Sequence, residues 1–186
     1  MKISHIVSLV GLFAALCGAV PASADGPGRE FTATAVVTTT EGTRSMPLTL
    51  AVNRYTSLEE LRQLGGVLAN GGQSALLAAV RFRNDGQLRL GAEVRPIALV
   101  AAEATGDGHR IVFLTPRRIQ VDEQQLGKES LDYPFGIAVV EIDDFSGRGD
   151  GTLHVAAALS IDADGHVEID DYDGQDGLFR DLRRVR

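Results

Sequence analysis

Apolar and polar residues alternate along most of the chain after residue 86, and this period of two is typical of β-strands. The alternating segments are residues 87–90, 95–105, 109–115, 135–143, 152–161 and 166–172. Short Gly- and Asp-containing breaks separate several of them, at residues 106–108, 147–151 and 163–165. Because such short connections leave no room for crossover helices, the sequence predicts antiparallel pairing of neighbouring strands.

A helical pair is predicted ahead of this region, after two strands at residues 31–40 and 48–53. Thr56 and Ser57 each have a glutamate three residues further on, which makes two overlapping capping-box candidates for a helix start. One apolar stripe at helical spacing follows, formed by Leu58, Leu61, Leu64 and Leu68. Asn70-Gly71-Gly72 is expected to end the first helix, and residues 73–82 to form a second, short one.

These patterns together predict an α+β domain over residues 31–173. Its sheet is expected to be predominantly antiparallel and strongly curved, or a partly closed barrel, of about eight strands with the helical pair inserted after the second strand. A flexible lead-in at residues 25–30 precedes this domain, and an acidic-to-basic C-terminal tail at residues 174–186 follows it. Alanine-rich faces at residues 98–104 and 156–158 suit either close packing or space for a small apolar ligand inside the sheet, with packing the simpler interpretation.

The first 24 residues have the pattern of a cleavable signal peptide. Lys2 precedes an apolar run over residues 6–20, and Ala22-Ser23-Ala24 has the small residues that a signal peptidase accepts. The run falls short of the roughly 20 residues that span a bilayer. The sequence therefore predicts export to the periplasm or the extracellular space, with no membrane insertion after cleavage.

Cleavage would also remove Cys17, the one cysteine of the chain, and with it every disulfide or thiolate site. The formal net charge is −7 and becomes more negative when Lys2 is lost. Nucleic acids and anionic membranes need a positive surface, so the charge balance argues against both as partners.

Residues 160–177 concentrate seven carboxylates and no Lys or Arg. An EF-hand loop needs glycine at its sixth position, but Gly165 arrives at the fourth if Asp162 is the first. Asp164-Gly165 instead predicts a β-hairpin turn. The candidates that remain for a weak surface site for a divalent cation are Asp171, Asp173 and Asp176, with an acidic solvated edge as the alternative.

No pattern in the chain predicts catalytic or cofactor-binding residues. There is no Gly-x-Ser-x-Gly or His-Glu-x-x-His motif, and His154 is expected to be a buried, hydrogen-bonded structural residue. A glycosidase-like carboxylate pair leaves no local signature and stays open. Arg148-Gly149-Asp150 spells an integrin-binding tripeptide at a predicted hairpin tip, but a three-residue match is weak evidence for adhesion.

Several segments resemble an uncharacterised family of exported bacterial proteins. They are residues 53–57, 71–73 with Leu76 and Leu77, residues 110–117, residues 131–133 and the Gly149-x-Gly151-x-Leu153 motif. The resemblance covers residues 31 to 173 and implies a shared fold and export, but no activity. It also implies an aromatic C-terminal segment with Pro or Trp, and Gly177-Leu178-Phe179-Arg180 departs from that pattern.

The sequence therefore predicts an exported, non-enzymatic domain that binds a protein or a small molecule in the cell envelope, without a cofactor. Two alternatives stay open: a hydrolase that uses acidic loop residues, and the weak surface cation binder.

Overall fold

The structure, a computed structural model, describes residues 7–8, 29–39, 42–119, 132–163, 165–172 and 176–185 of the 186-residue chain. Eleven strands and one helical element lie within these residues. The elements in chain order are β1 (Val7–Ser8), β2 (Glu30–Thr39), β3 (Gly42–Val52), α1 (Leu58–Val80), β4 (Gly86–Leu90), β5 (Glu93–Ile97), β6 (Leu99–Ala104), β7 (Gly108–Thr115), β8 (Phe135–Asp143), β9 (Arg148–Ile161), β10 (Val167–Asp171) and β11 (Asp176–Arg184).

The strands form a nearly closed antiparallel barrel. Neighbouring strands follow the order β5-β4-β3-β2-β11-β9-β8-β7-β6, and β10 pairs with the far end of β9. The two ends of this path, β5 and β6, are consecutive in the chain, with Ala98 alone between them. The predicted α+β class, the antiparallel pairing and the curvature are confirmed, while the barrel has nine strands on its described path and not about eight.

Alternate residues of the strands point to two separate cores. The barrel core fills the inside of the barrel and receives buried side chains from every strand of the path, among them Phe31, Leu50 and Phe113. The helix-side core lies on the outer face, where Leu64, Leu68 and Leu76 of α1 pack against strands β6 to β10. β7 contributes to both cores: Ile111 and Phe113 point inward, whereas Val112 and Leu114 point to the helix. This explains why β7 is apolar at each position from Ile111 to Leu114.

One helical element, α1, takes the place of the predicted helical pair. Ser57 caps it in a full capping box with Glu60, so the second of the two candidate boxes is the one that forms. Gly72 has φ 67° and ψ −173°, which is not helical, and it divides α1 into two segments that both pack on the helix-side core. A backbone break at this glycine was predicted, but it changes the direction of the helix and does not end the element.

A β-bulge in β9 moves its side chains from one face to the other. Phe135 pairs with Ala157 and Ile137 with His154, so β9 advances by three residues where β8 advances by two. Leu153 and Val155 therefore point into the barrel core, whereas Ala157 points to the helix-side core. A strict period of two over residues 152–161 would place all three on a single face.

β11 is the largest difference from the sequence-based organisation. Residues 174–186 were predicted to be a tail, but Asp176–Arg184 forms a strand between β2 and β9. Phe179 and Leu182 both lie in the barrel core although they are three residues apart. A register shift between Arg180 and Arg183, with Asp181 at φ 54°, makes this spacing possible and hides the alternation that would reveal a strand.

Two predicted turns have different outcomes. The β9–β10 hairpin is confirmed, because Ile161 pairs with Val167, and Gly165 adopts a φ of +85°. The break at residues 147–151 is shorter than predicted, because β9 already begins at Arg148. Arg148-Gly149-Asp150 therefore lies in a strand and not at a hairpin tip.

Candidate functional site

The three aspartates of the predicted cation site are described to different extents. Asp171 ends β10, and its side chain is 6% exposed. Asp173 lies outside the described residues, and only the backbone of Asp176, the first residue of β11, is described. Among the described residues, no group of three or more His, Cys, Asp or Glu side chains is placed to hold a metal ion.

Asp171 instead faces His154, and the pair is buried. The Nδ1 atom of His154 lies 2.7 Å from Oδ1 of Asp171, and the side chains are 2% and 6% exposed. The prediction that His154 is buried is confirmed. The β9–β10 hairpin brings the two residues together, since it pairs Asp171 with Ala157, three residues along β9 from His154.

Thr152 extends this pair to a third residue. It lies two positions before His154 on the same face of β9, and its Oγ1 is 3.4 Å from Nε2 of His154. Nδ1 of His154 is close to Asp171, and Nε2, the other ring nitrogen, is directed at the threonine hydroxyl. An aspartate, a histidine and a hydroxyl in this order form the catalytic triad of many hydrolases, in which the carboxylate orients the histidine and the histidine acts as the base for the hydroxyl nucleophile. The 3.4 Å between Nε2 and Oγ1 is long for a hydrogen bond to a hydroxyl.

Thr152 and His154 lie at one end of a concavity on the outer face of the barrel, which we call the outer groove. Strands β7, β8, β9 and β11 form it, and its volume is about 490 Å³. Its lining includes Arg110, Glu141, Thr152, His154, Leu178 and Arg180. These residues point outward because their strand neighbours, such as Phe179 next to Leu178, point into the barrel core.

The outer groove combines an apolar patch with charged groups. Leu178 is 58% exposed, although it lies within the paired part of β11. Arg110 is held by Glu141, with Nε 2.8 Å from its Oε1, whereas Arg180 is exposed at the groove. A ligand with an apolar group beside an anionic group would fit this arrangement.

An acidic depression adjoins the outer groove and shares Glu141 and Asp150 with it. It has a volume of about 470 Å³ and also contains Asp107, Asp143 and Arg148. The open surface on this side of the barrel therefore changes from apolar and basic near β11 to acidic near the turns that precede β7 and follow β8.

A second polar cluster, the helix-anchor network, has a structural role. Asp85 is 2% exposed and accepts from Thr56 Oγ1 at 2.9 Å, while its carboxylate lies 2.9 Å from Arg54 and 2.7 Å from Arg83. Glu60 binds the same two arginines, at 2.8 and 3.0 Å. Through Thr56, which binds Asp85 ahead of β4 and Val100 of β6, the network ties the start of α1 to these strands.

The network also perturbs one carboxyl group strongly. Hydrogen bonds from Arg54 hold the pKa of Glu60 far below its ordinary value of 4.5, and bonds from Ser57 and the charge of Arg83 act in the same direction. Partial burial of Glu60 acts in the opposite direction and raises its pKa, but the hydrogen bonds and ion pairs outweigh this effect. Glu60 is therefore ionised at neutral pH at the helix N-terminus, where the helix dipole also favours negative charge.

Sequence reasoning missed the outer groove and the contact between His154 and Asp171. The groove needs β11, which had been assigned to a tail. The contact had a usable signal, since counting outward from the predicted hairpin turn places Asp171 within three residues of His154 on the neighbouring strand.

Comparison with protein-family models, with curated proteins and with solved structures finds no match to this chain. Fold and site therefore define the molecule only as an α+β, mostly β protein with a nearly closed antiparallel barrel. None of the helices among the described residues has the length and apolar character to cross a membrane.

Proposed function

We propose that this chain is an exported, non-enzymatic binding domain that holds a protein or small molecule of the cell envelope in the outer groove. The observation that carries the proposal is the contrast between the two sides of the sheet. Among the described residues, buried apolar side chains from all nine strands of the path meet inside the barrel. The outer groove is open and has an exposed leucine at its edge.

The chemistry of the groove defines the partner. Leu178 offers an apolar contact that is incomplete in the free protein, and Arg180 offers a guanidinium for a carboxylate or a similar anion. Small sites of this kind take their affinity from apolar contact and their orientation from a few polar groups. The partner is therefore expected to present an apolar group next to an anionic one.

Site-specific photocrosslinking in the exporting cell tests this proposal. A photoreactive phenylalanine analogue at position 178 should give a discrete adduct, and the adduct should be lost when Arg180→Glu is added. Position 94 is the matched control, because Val94 is also an exposed apolar strand residue but lies on β5, away from the groove. Equal adducts from both positions, or none from 178, would contradict the proposal.

One observation favours a second candidate, a hydrolase. In this hypothesis Oγ1 of Thr152 attacks the carbonyl carbon of an ester while Nε2 of His154 takes the hydroxyl proton. Asp171 holds the imidazole in place, and His154 returns the proton to the departing alkoxide. Water then attacks the acyl-threonine, with His154 again as the base, and the bond between the acyl carbon and Oγ1 breaks. The acid is released, and His154 returns the proton to Oγ1 of Thr152. The arrangement differs from the hydrolase predicted from acidic loop residues.

An assay with p-nitrophenyl acetate distinguishes the two candidates. A hydrolase should release p-nitrophenol above the buffer rate, and Thr152→Val, which keeps the shape but removes the hydroxyl, should abolish the excess. We expect the wild-type and Thr152→Val rates to be equal, because His154 is 2% exposed and 3.4 Å from the hydroxyl. A clear difference between them would replace the binding proposal with the enzymatic one.

A further inference from the structure

The outer edge of β10 is paired with a segment from the extreme N-terminus. Val7 and Ser8 form β1, which lies antiparallel to β10 with Val7 opposite Ile169 and Ser8 opposite Glu168. Among the described residues, β10 has only two neighbours, β9 on one edge and β1 on the other. Residues 7–8 belong to the segment that the sequence predicts to be a cleaved signal peptide, so cleavage would remove the strand that covers this edge.

The backbone of β10 has hydrogen-bonding groups ready for a strand at that edge. Tyr172 N–H donates to Ala156 O, and His166 O accepts from Asp162 N–H, so these two residues direct their backbone groups to the β9 side. Backbone direction alternates along an antiparallel strand. Val167, Ile169 and Asp171 therefore direct their N–H and C=O groups away from β9, and Ile169 faces β1.

The side chains of β10 define which strand fits beside it. Val167 and Ile169 are buried in the helix-side core, so one face of an added strand would meet apolar surface. Glu168 and the exposed Asp170 lie on the other face, in a stretch without Lys or Arg from residue 160 to 177. A strand with alternating apolar and basic residues matches both faces. A second copy of β10 would place its own acidic residues against these, which is repulsive.

We propose that the edge of β10 is a strand-addition site for an extended peptide with alternating apolar and basic residues, and that β1 occupies this site until residues 1–24 are removed. Added strands gain affinity from backbone hydrogen bonds and specificity from alternate side chains. Occupation by β1 protects the edge before export, when an open edge would invite aggregation. The claim that this edge becomes exposed on cleavage rests on the proposed export. The kind of peptide that fits the edge of β10 does not depend on export.

Residue-resolved amide hydrogen exchange tests the site. In the full chain the Ile169 amide should be protected, and Val7→Pro, which removes the backbone donor of β1 opposite Ile169, should speed its exchange at least about tenfold. The chain that begins at residue 25 should show the same increase. The amides of Glu168 and Asp170 point to β9 and serve as internal references, because they should stay protected in all three proteins.

Two synthetic peptides then test the partner chemistry on the Val7→Pro chain. A six-residue peptide of alternating lysine and valine should restore slow exchange at Ile169, while a peptide of alternating glutamate and valine should not. Unchanged exchange at Ile169 on loss of β1, equal protection by both peptides, or dimerisation through this edge without a peptide would each overturn the proposal. N-terminal sequencing of protein from exporting cells tests cleavage separately: an intact Met1 would remove the export step but leave the exchange results to decide on the edge.

Discussion

Asp85 is the residue whose charge is buried most deeply in the helix-anchor network. Its side chain is 2% exposed, and two arginines and a threonine hydroxyl surround its carboxylate. A buried carboxylate costs several kcal/mol of desolvation, which only well-placed partners offset. Sequence alone gave Asp85 no special role, because Asn84-Asp85-Gly86 looks like an ordinary helix stop.

We expect Asp85→Ala to lower the free energy of unfolding by about 3–5 kcal/mol, since it leaves Arg83 partly buried without its nearest anion. Urea denaturation at neutral pH measures this loss. Glu59→Ala is the control, because Glu59 is 70% exposed and 4.0 Å from Arg62, and it should change stability by less than about 1 kcal/mol. Similar losses in the two variants would show that the network does not stabilise the fold.

Glu60 predicts how stability depends on pH. Its pKa in the folded protein is lowered from 4.5, so the folded state holds its proton less tightly than the unfolded chain does. Its contribution is fully present above the unfolded value and is lost as the pH falls below it. In urea titrations from pH 7 to pH 3, Glu60→Gln should be less stable than wild type at pH 7, and the difference should shrink towards pH 3. Glu59→Gln should run parallel to wild type, and a constant gap for Glu60→Gln would contradict the assignment.

At the scale of the elements, two of the four glycines in α1, Gly66 and Gly72, have opposite roles. Gly72 has φ 67° and ψ −173°, a conformation that is essentially restricted to glycine. Gly66 lies in the same helix, and a Cβ added there would meet open space. Because both residues are glycines of one helix, they form a matched pair for the effect of backbone conformation.

Gly72→Ala should destabilise the protein by about 1–3 kcal/mol, because alanine strains the backbone at the break. Gly66→Ala should stabilise it by about 0.4–1 kcal/mol through the lower entropy of the unfolded chain. Thermal unfolding followed by circular dichroism measures both. Stabilisation by both substitutions would mean that α1 can straighten through residue 72.

For the whole molecule, β11 decides whether the barrel closes. It joins β2, near the N-terminal end of the barrel, to β9, and it forms one wall of the outer groove. Its neighbouring residues Phe179 and Leu178 are 4% and 58% exposed, so they report separately on the inside and the outside of the barrel.

Phe179→Ala should cost about 3–5 kcal/mol of unfolding free energy, because it leaves a cavity in the barrel core. Leu178→Ala should change stability by no more than about 0.5 kcal/mol. Chemical denaturation of both variants tests the placement of the strand. If residues 174–186 were a solvated tail, neither substitution would matter.

Much of this architecture was predictable where side chains follow a regular period. The four consecutive apolar residues from Ile111 to Leu114 are typical of a strand that is buried on both faces, as β7 is. The helix start was predictable because Ser57 and Glu60 have capping-box spacing. The strand β9 was predicted, but the faces of its side chains were wrong, and β11 was missed, because an irregularity in each strand breaks the period of two on which these assignments depend. The outer groove could not be predicted, since one of its walls is the strand that the bulge disguised.

The sequence by itself determined the strand and helix periods, the antiparallel turns, the acidic charge and the pattern of an export signal, because each of these depends on residues close together in the chain. Only the tertiary structure decided which strands close the barrel, which side chains meet inside it, and that His154 meets Asp171 beside Thr152. These features depend on the pairing register between segments that are distant in the chain. A single β-bulge leaves little trace in the local sequence, yet it changes the face of the sheet on which every later side chain of that strand lies.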